Sequence, residues 1–202
     1  MRTLTIQILA VLLIFGCSRA PKGDVELPYG LMRNGDLAFR CGGGVFSRVV
    51  TAAGDGGVYS HVGVLVKNGG KWMVVHAVPG EKEFNGDFAR VKVESAGKFF
   101  APDRAFRGCL VHTGLADSLR LAALCSTALR YARDSVRFDG FYDLADSAEV
   151  YCTEMVWRLY RRAGIDLSEG RRRHVNMIGL HSECILPEHL LKYTGNDIYF
   201  IF

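Results

Sequence analysis

VYCTEMVWRLYRRAG, residues 150–164, decides how the rest of this chain can be arranged, because a cysteine stands where a polar segment becomes a helix. After the cysteine, apolar residues recur at the three- and four-residue spacing of one helix face: Met155, Val156, Leu159, Tyr160 and Ala163. Arg161 and Arg162 give a basic last turn, and Gly164 follows at the position that commonly ends a helix. The pattern predicts that Cys152 begins an amphipathic helix that is buried along one side.

The position of Cys152 has two interpretations. Free backbone N–H groups and the positive end of the helix dipole favour a thiolate over a thiol, which suits a nucleophile. A free cysteine is also a small apolar residue that is commonly buried and inert. The helix alone favours the inert residue, so the choice depends on what else the chain supplies.

Two histidines in consecutive β-branched runs favour the nucleophile. The runs SHVGVLV (60–66) and KWMVVHAV (71–78) are separated by Asn-Gly-Gly, a strong hairpin signal. A turn at Asn68-Gly69 places His61 directly opposite His76, and a turn one residue later offsets them diagonally on the same sheet face. A three-residue loop would put them on opposite faces. The hairpin thus predicts a base and a group that orients it, provided that both imidazoles lie within reach of the sulfur.

Composition places the chain among ordinary globular proteins. Its 202 residues are enough for one domain with a substantial core, and a net charge of +4 does not predict a nucleic-acid partner. The single basic run, residues 171–173, is predicted to be a solvated loop. No Cys-x-x-Cys pair is present, so no metal site is predicted, and thiol chemistry needs no cofactor.

The first residues resemble an export signal. Met1-Arg2 gives a positive start, and the apolar run at 4–15 is shorter than the roughly 20 residues of a membrane-spanning helix. Gly16-Cys17 resembles the lipobox of bacterial lipoproteins, in which the cysteine is lipidated; a conventional cleaved signal is the alternative. We therefore divide the chain into a lipoprotein-type signal peptide at 1–17, a polar tether at 18–28 and one domain at 29–202. An exported protein anchored to a bacterial envelope membrane through Cys17 is expected.

Periodicity and turn residues predict the remaining elements. Strands are expected at 37–40, 88–93, 106–112 and 198–202, a helix at 117–133 and a short helix beginning at Pro187. The glycine run at 42–44 lacks the Gly-Lys-Ser/Thr ending of a phosphate-binding loop and is predicted to be a flexible loop beside a cleft.

Several motifs resemble one family. NGDLAF (34–39), the glycine-rich loop, YSHVGV (59–64), Tyr142-Asp143 and YCTEMV (151–156) resemble the YiiX/YebB-like cysteine hydrolases, a circularly permuted branch of the NlpC-type papain-like superfamily. The resemblance implies a permuted papain-like α+β fold, with a small antiparallel sheet or barrel packed on the nucleophile helix. It also implies that Cys152 is the nucleophile and His61 the general base. The third residue is often a glutamate; His76 stands there, as a histidine does in the lecithin–retinol acyltransferase group.

The resemblance implies a thioester mechanism. Backbone N–H groups at the helix start would hold the oxyanion, with Tyr151 or Ser60 nearby, and Glu154 would bind a substrate amine or cap its own helix. The predicted function is a cell-envelope cysteine amidase or peptidase acting on peptidoglycan-type or other peptide amides. The alternatives are a thioesterase or acyltransferase on lipid acyl groups and a non-catalytic envelope lipoprotein. A wide apolar groove beside Cys152 would favour acyl substrates, and a polar, acidic pocket would favour peptides.

Overall fold

One antiparallel sheet organises the structure, a computed structural model that describes residues 23–54, 56–145, 148–177, 180–194 and 197–202. In spatial order its strands are β4 (Arg90–Ser95), β3 (Lys71–Val78), β2 (His61–Asn68), β1 (Leu37–Cys41), β5 (Arg107–Val111) and β8 (Ile198–Ile201). A separate hairpin is formed by β6 (Arg173–Met177) and β7 (Leu180–Cys184). The helices are α1 (Val45–Ala53), α2 (Ala96–Phe99), α3 (Ser118–Arg133), α4 (Cys152–Arg162) and α5 (Pro187–Thr194). Within the described ranges the sheet ends at β4 and β8, which do not pair with each other, so the predicted α+β fold has an open sheet rather than a barrel. Arg90 of β4 makes an isolated bridge to Arg137.

The hairpin of β2 and β3 takes the second of the two predicted registers. Asn68 pairs with Lys71, so Gly69 and Gly70 form the turn. Their φ angles of 56° and 78° are the left-handed values that a tight primed turn requires and that glycine adopts without strain. His61 and His76 therefore share one face of the sheet, offset diagonally.

The two faces of the sheet are covered by different parts of the chain. One face packs on α3 and α4 in the larger core, which includes Val62, Val64, Val75, Met155 and Leu159. The other face carries a smaller core, which includes Ala38, Leu65, Val74, Phe99 and Leu27. Because Leu27 is buried, the end of the predicted tether at 18–28 is packed against the domain rather than free. The alternation of Val25 and Leu27 explains this packing; residues 18–22 lie outside the described ranges.

Helix α4 begins and ends as its sequence predicts. Glu154 Oε2 accepts a hydrogen bond from the backbone N–H of Tyr151 at 3.2 Å, which satisfies a donor at the helix start. At the other end the N–H of Ile165 donates to Tyr160 O at 3.0 Å, and Gly164 has a φ of 82°. These are the features of a Schellman motif closed by glycine. The ends of α4, and hence the position of Cys152 at its first residue, are fixed by local sequence.

Other predicted elements are also present. The Asp117 side chain accepts from the N–H groups of Leu119 and Arg120 at the start of α3, α5 begins at Pro187, and the terminal strand is β8. None of the helices in the described part of the chain is both long and apolar enough to cross a bilayer.

Three segments differ from their predictions. The run at 171–173 leads directly into β6, whose polar strand has little apolar alternation to signal it. The strand predicted at 88–93 lies at Arg90–Ser95, because the N–H of Phe88 is held by the Asp87 carboxylate in a turn. Helix α1 was not predicted, because it directly follows the glycine loop and no side chain caps its start, although its apolar residues recur at helical spacing.

Candidate functional site

A cavity of about 430 Å³ opens at the end of the sheet and brings together the predicted nucleophile and base. Cys152 and His61 both line it, together with Ser60 and Tyr151. The glycine-rich loop and the start of α1 form one wall, and the segment leading into α5 forms another. The prediction that the loop at 42–44 lies beside a cleft is confirmed.

Cys152 sits at the first residue of α4, next to the start of β2. The backbone N–H groups of Val62, Thr153 and Cys152 itself are directed at its sulfur. Burial nevertheless raises the pKa of the Cys152 thiol to about 11; those N–H groups and the charge of Arg40 only partly offset this. The expectation that the helix start favours a thiolate is therefore corrected. Desolvation outweighs the helix terminus, and the resting group is a thiol.

The two histidines are in direct contact. His61 Nε2 lies 2.8 Å from His76 Nδ1, with the rings edge-on at 79°. Burial lowers the pKa of both imidazoles well below 6.5, and the neighbouring Arg40 guanidinium lowers it further. Both rings are therefore neutral near pH 7. Since His76 engages Nε2 of His61, Nδ1 is the ring nitrogen that remains for the sulfur.

The histidines do not lie on the sheet face that packs against α4. Strand alternation places them on the face of the smaller core, where their rings contact Phe99 at centroid distances of 5.8 and 5.2 Å. His61, however, is the first residue of β2, and the N–H of the next residue, Val62, points at the Cys152 sulfur. The thiol and the imidazole thus approach the same end of the sheet from its two sides.

A network of four charged side chains lies behind His76, and none of the four was among the predicted site residues. Arg40, paired with His61 in the register of β1 and β2, donates to Phe99 O at 2.8 Å and forms an ion pair with Glu81. Arg104 forms ion pairs with both Glu81 and Glu94, at 2.8 Å for Glu94. Glu94 Oε1 lies 3.2 Å from His76 Nε2.

Strand alternation was the signal that could have revealed this network. Glu94 shares a sheet face with His76, because Val74 pairs with Glu94 and His76 with Lys92. Charged residues at positions of a buried strand face are rare unless they are paired. Because the predicted strand ended at residue 93, Glu94 was not placed on the sheet.

The remaining predicted residues take supporting positions. Tyr151 is buried, and its hydroxyl accepts from the N–H of Ile185 at 2.9 Å. Ser60 lines the cavity, and its N–H donates to Arg40 O at 3.1 Å. Glu154 is fully buried, caps α4, forms an ion pair with Arg158 and does not line this cavity. Burial raises the pKa of Glu154 to about 8. Cys17 lies outside the described residues.

Comparisons with known proteins give one informative similarity. No protein-family model matches the sequence, and no curated protein matches it. Among solved structures, the fold is similar to the crystal structure of the metalloprotein YiiX from Escherichia coli O157:H7, with a TM-score of 0.62. The chain has the YiiX fold. At 20% identity, the similarity covers 84% of this chain and 94% of that chain, so it shows the fold alone. The YiiX fold agrees with the permuted papain-like order, in which the histidine strands precede the cysteine helix.

YiiX is a metalloprotein, so the question for this chain is whether its side chains offer a metal ion free ligand atoms. In the described ranges, one group of three His, Cys, Asp or Glu residues has its ligand atoms within 4.8 Å of one another. It consists of His76, Glu81 and Glu94. Both carboxylate oxygens of Glu81 are already held by guanidinium groups, one by Arg40 and the other by Arg104. A divalent cation would have to displace these cations and would lie beside them. The residues as arranged do not fit a metal ion.

Proposed function

We propose that this protein is a cysteine hydrolase of the permuted papain-like type, with Cys152 as nucleophile and His61 as general base. The observation that carries the proposal is the common cavity of the two residues, together with the contact of His61 Nε2 with His76. A nucleophile, a base and a group that orients the base are the minimum set for thiol catalysis.

The resting site is a neutral thiol beside a neutral imidazole, so proton transfer accompanies attack. His61 Nδ1 takes the Cys152 proton as the sulfur bonds to the substrate carbonyl carbon. The N–H groups at the start of α4 and that of Val62 are the donors available to the oxyanion. Collapse to a thioester expels the leaving group, which takes the proton from His61. Water, deprotonated by the same imidazole, then releases the acid and restores the thiol.

Peptide amides of the peptidoglycan type are the first substrate class. Asp103 and Arg104 lie together in the lining of the cavity, one acidic and one basic. Such a pair can bind the ionised amine and carboxylate groups of a short peptide. Tyr151 and Ser60 line the same cavity as the nucleophile.

Acyl groups are the second substrate class, favoured by the apolar part of the lining. Its apolar side chains are Phe46, Val50, Phe138, Tyr142, Ile185 and Leu186. A hydrocarbon chain would bury apolar surface against it, which favours a thioesterase or acyltransferase reaction. Cavities lined mainly by apolar side chains with a few polar groups are typical ligand sites.

The proposal includes export and a lipid anchor on Cys17. Its support is the sequence at 1–17 alone, since these residues lie outside the described ranges. The intact mass of membrane-extracted protein tests it: a diacylglyceryl adduct on an N-terminal Cys17 is expected, and an unmodified mature N-terminus would contradict the anchor.

The enzymatic proposal is tested by incubating purified protein with murein peptides and, separately, with acyl esters and acyl thioesters. Cys152→Ser is expected to abolish turnover of whichever class is cleaved. Cys125→Ser is the matched control, because Cys125 is also buried but lies on α3, outside the lining of this cavity. Equal turnover by wild type and Cys152→Ser, or none by wild type on either class, would reject the proposal.

A further inference from the structure

We infer that Glu94 is a positioning residue that sets the direction of the hydrogen bond between His76 and His61, and so leaves a lone pair on His61 Nδ1. The inference rests on the proposed function for its catalytic meaning, but its structural content can be measured without a substrate.

The geometry around Glu94 carries the inference. Its side chain is buried, and its Oε1 lies 3.2 Å from His76 Nε2. Within the described part of the chain neither atom makes a hydrogen bond, either to the other or to a third group, and Arg40 Nη1 lies 3.7 Å from the same Oε1. A buried donor and a buried acceptor that both lack a partner destabilise the fold, so a small rotation that aligns them is favoured. Arg104 holds the other oxygen of Glu94 at 2.8 Å.

The order of protons follows from the chemistry of these groups. An ionised carboxylate can only accept a hydrogen bond, so the proton must be on His76 Nε2. A neutral imidazole has one N–H, so His76 Nδ1 is then an acceptor. The proton in the 2.8 Å contact must therefore come from His61 Nε2. His61 is neutral as well, so its Nδ1 carries a lone pair, which is the form that can accept the Cys152 proton.

Burial is what makes this order persist. Both imidazoles are neutral near pH 7 because burial and Arg40 lower their pKa, so neither ring can donate from both nitrogens. The reverse order of protons would require His76 Nε2 to accept, and a carboxylate that is ion-paired with Arg104 offers it only acceptor oxygens. Without Glu94, the two directions of the hydrogen bond between the imidazoles become much closer in energy. In one of these directions His61 presents an N–H to the sulfur instead of a lone pair.

Glu81 supplies a matched control for Glu94. Both carboxylates form an ion pair with Arg104, and both lie close to Arg40. Of the two carboxylates, only Glu94 is paired with His76, with its Oε1 at 3.2 Å from Nε2. Glu94→Gln and Glu81→Gln therefore remove the same charge from the same network, and only the first alters the partner of the imidazole.

The experiment is histidine-selective ¹⁵N NMR of the full-length protein at pH 7.5, which distinguishes the two imidazole tautomers. Wild type is expected to show both His61 and His76 as Nε2–H tautomers. Glu94→Gln is expected to shift His61 toward a mixture containing the Nδ1–H form. Glu81→Gln is expected to keep the wild-type tautomers.

Three results would overturn the inference. One is His76 in the Nδ1–H form in wild type, which needs no variant and so does not depend on how the variants fold. Another is a wild-type tautomer pattern in Glu94→Gln. The third is a change of the wild-type spectrum on adding EDTA, which would mean that a metal ion holds His76. None of these outcomes depends on turnover, so failure of the hydrolase proposal would be recognised separately.

Discussion

Individual residues at this site depart from their solution behaviour because they are buried together. Cys152 is 7% exposed, His61 is 9% and His76 is 0%. Desolvation disfavours the charged form of each, so it raises the pKa of the thiol and lowers that of the imidazoles. Both pKa shifts favour the neutral thiol and the neutral imidazole over a preformed thiolate–imidazolium pair. The protein therefore needs an ordered base more than it needs an activated thiol.

The first prediction concerns the pH dependence of Cys152 alkylation by iodoacetamide. A thiol with a pKa of about 11 loses its proton progressively as pH rises, so the rate is expected to rise about tenfold per pH unit between pH 7 and 10. Quenched-flow labelling with peptide mass spectrometry measures it, and Cys152→Ser identifies the peptide. A rate that is flat below pH 8 would show that a thiolate–imidazolium pair is already formed.

The register of β2 and β3 places the two histidines side by side. This register requires a glycine at position 63, where a side chain would collide with β3. Gly63 lies two residues beyond His61 on the same face of β2. A Cβ there would be 2.8 Å from Val75 O and 3.0 Å from the Cβ of His76. Since a backbone oxygen cannot yield as a flexible side chain can, glycine at this position is a requirement of the hairpin.

The second prediction is that Gly63→Ala destabilises the fold and disturbs the histidine pair. Overpacking of this kind costs about 1–3 kcal/mol in the free energy of unfolding, measured here by urea denaturation. Gly80→Ala is the control, because a Cβ at Gly80 would meet nothing within 4 Å and its φ is not positive. Equal stability of the two variants would show that β2 and β3 can separate without cost.

The third prediction concerns the end of the nucleophile helix. Gly164 has a φ of 82° in the Schellman motif, so Gly164→Ala is expected to lower the free energy of unfolding by about 1 kcal/mol. Gly164→Asn should retain most of the stability, because asparagine adopts this conformation more readily. Thermal denaturation followed by circular dichroism compares them. An alanine variant as stable as wild type would mean that the helix end is not under this constraint.

At the scale of the whole molecule, local features were predictable and long-range charge pairing was not. The ends of α4 and the shared face of His61 and His76 follow from caps, turns and alternation, all of which act over a few residues. Arg40, Glu81 and Arg104 belong to three separate segments, and only the folded chain shows that they join Glu94 in one network of ion pairs behind His76. The state of Cys152 was also beyond the sequence, because burial, which only the tertiary structure sets, outweighs the helix terminus.

The last prediction also concerns the whole molecule, because hydrogen bonds between the start of α4 and the segment before α5 hold two parts of the cavity lining together. The Tyr151 hydroxyl accepts from the N–H of Ile185, and Thr153 Oγ1 donates to Ile185 O at 2.6 Å. Tyr151→Phe leaves the first of these backbone groups buried without a partner, which costs about 1–3 kcal/mol. The wall formed by Leu186 should loosen, so Cys152 alkylation is expected to become faster while the unfolding midpoint falls.

Urea denaturation and iodoacetamide labelling of the same Tyr151→Phe samples make the two measurements. Tyr193→Phe, at a hydroxyl-bearing residue that is 40% exposed, is the control and should match wild type in both. Lower stability with unchanged labelling would mean that the hydrogen bond between Tyr151 and Ile185 supports the core without closing the cavity. The hydrogen bond joins Tyr151, the residue before the nucleophile, to Ile185 at the end of a strand that is distant in sequence. If Tyr151 holds this wall of the cavity in place, the unfolding midpoint must fall and the labelling rate must rise in the same variant.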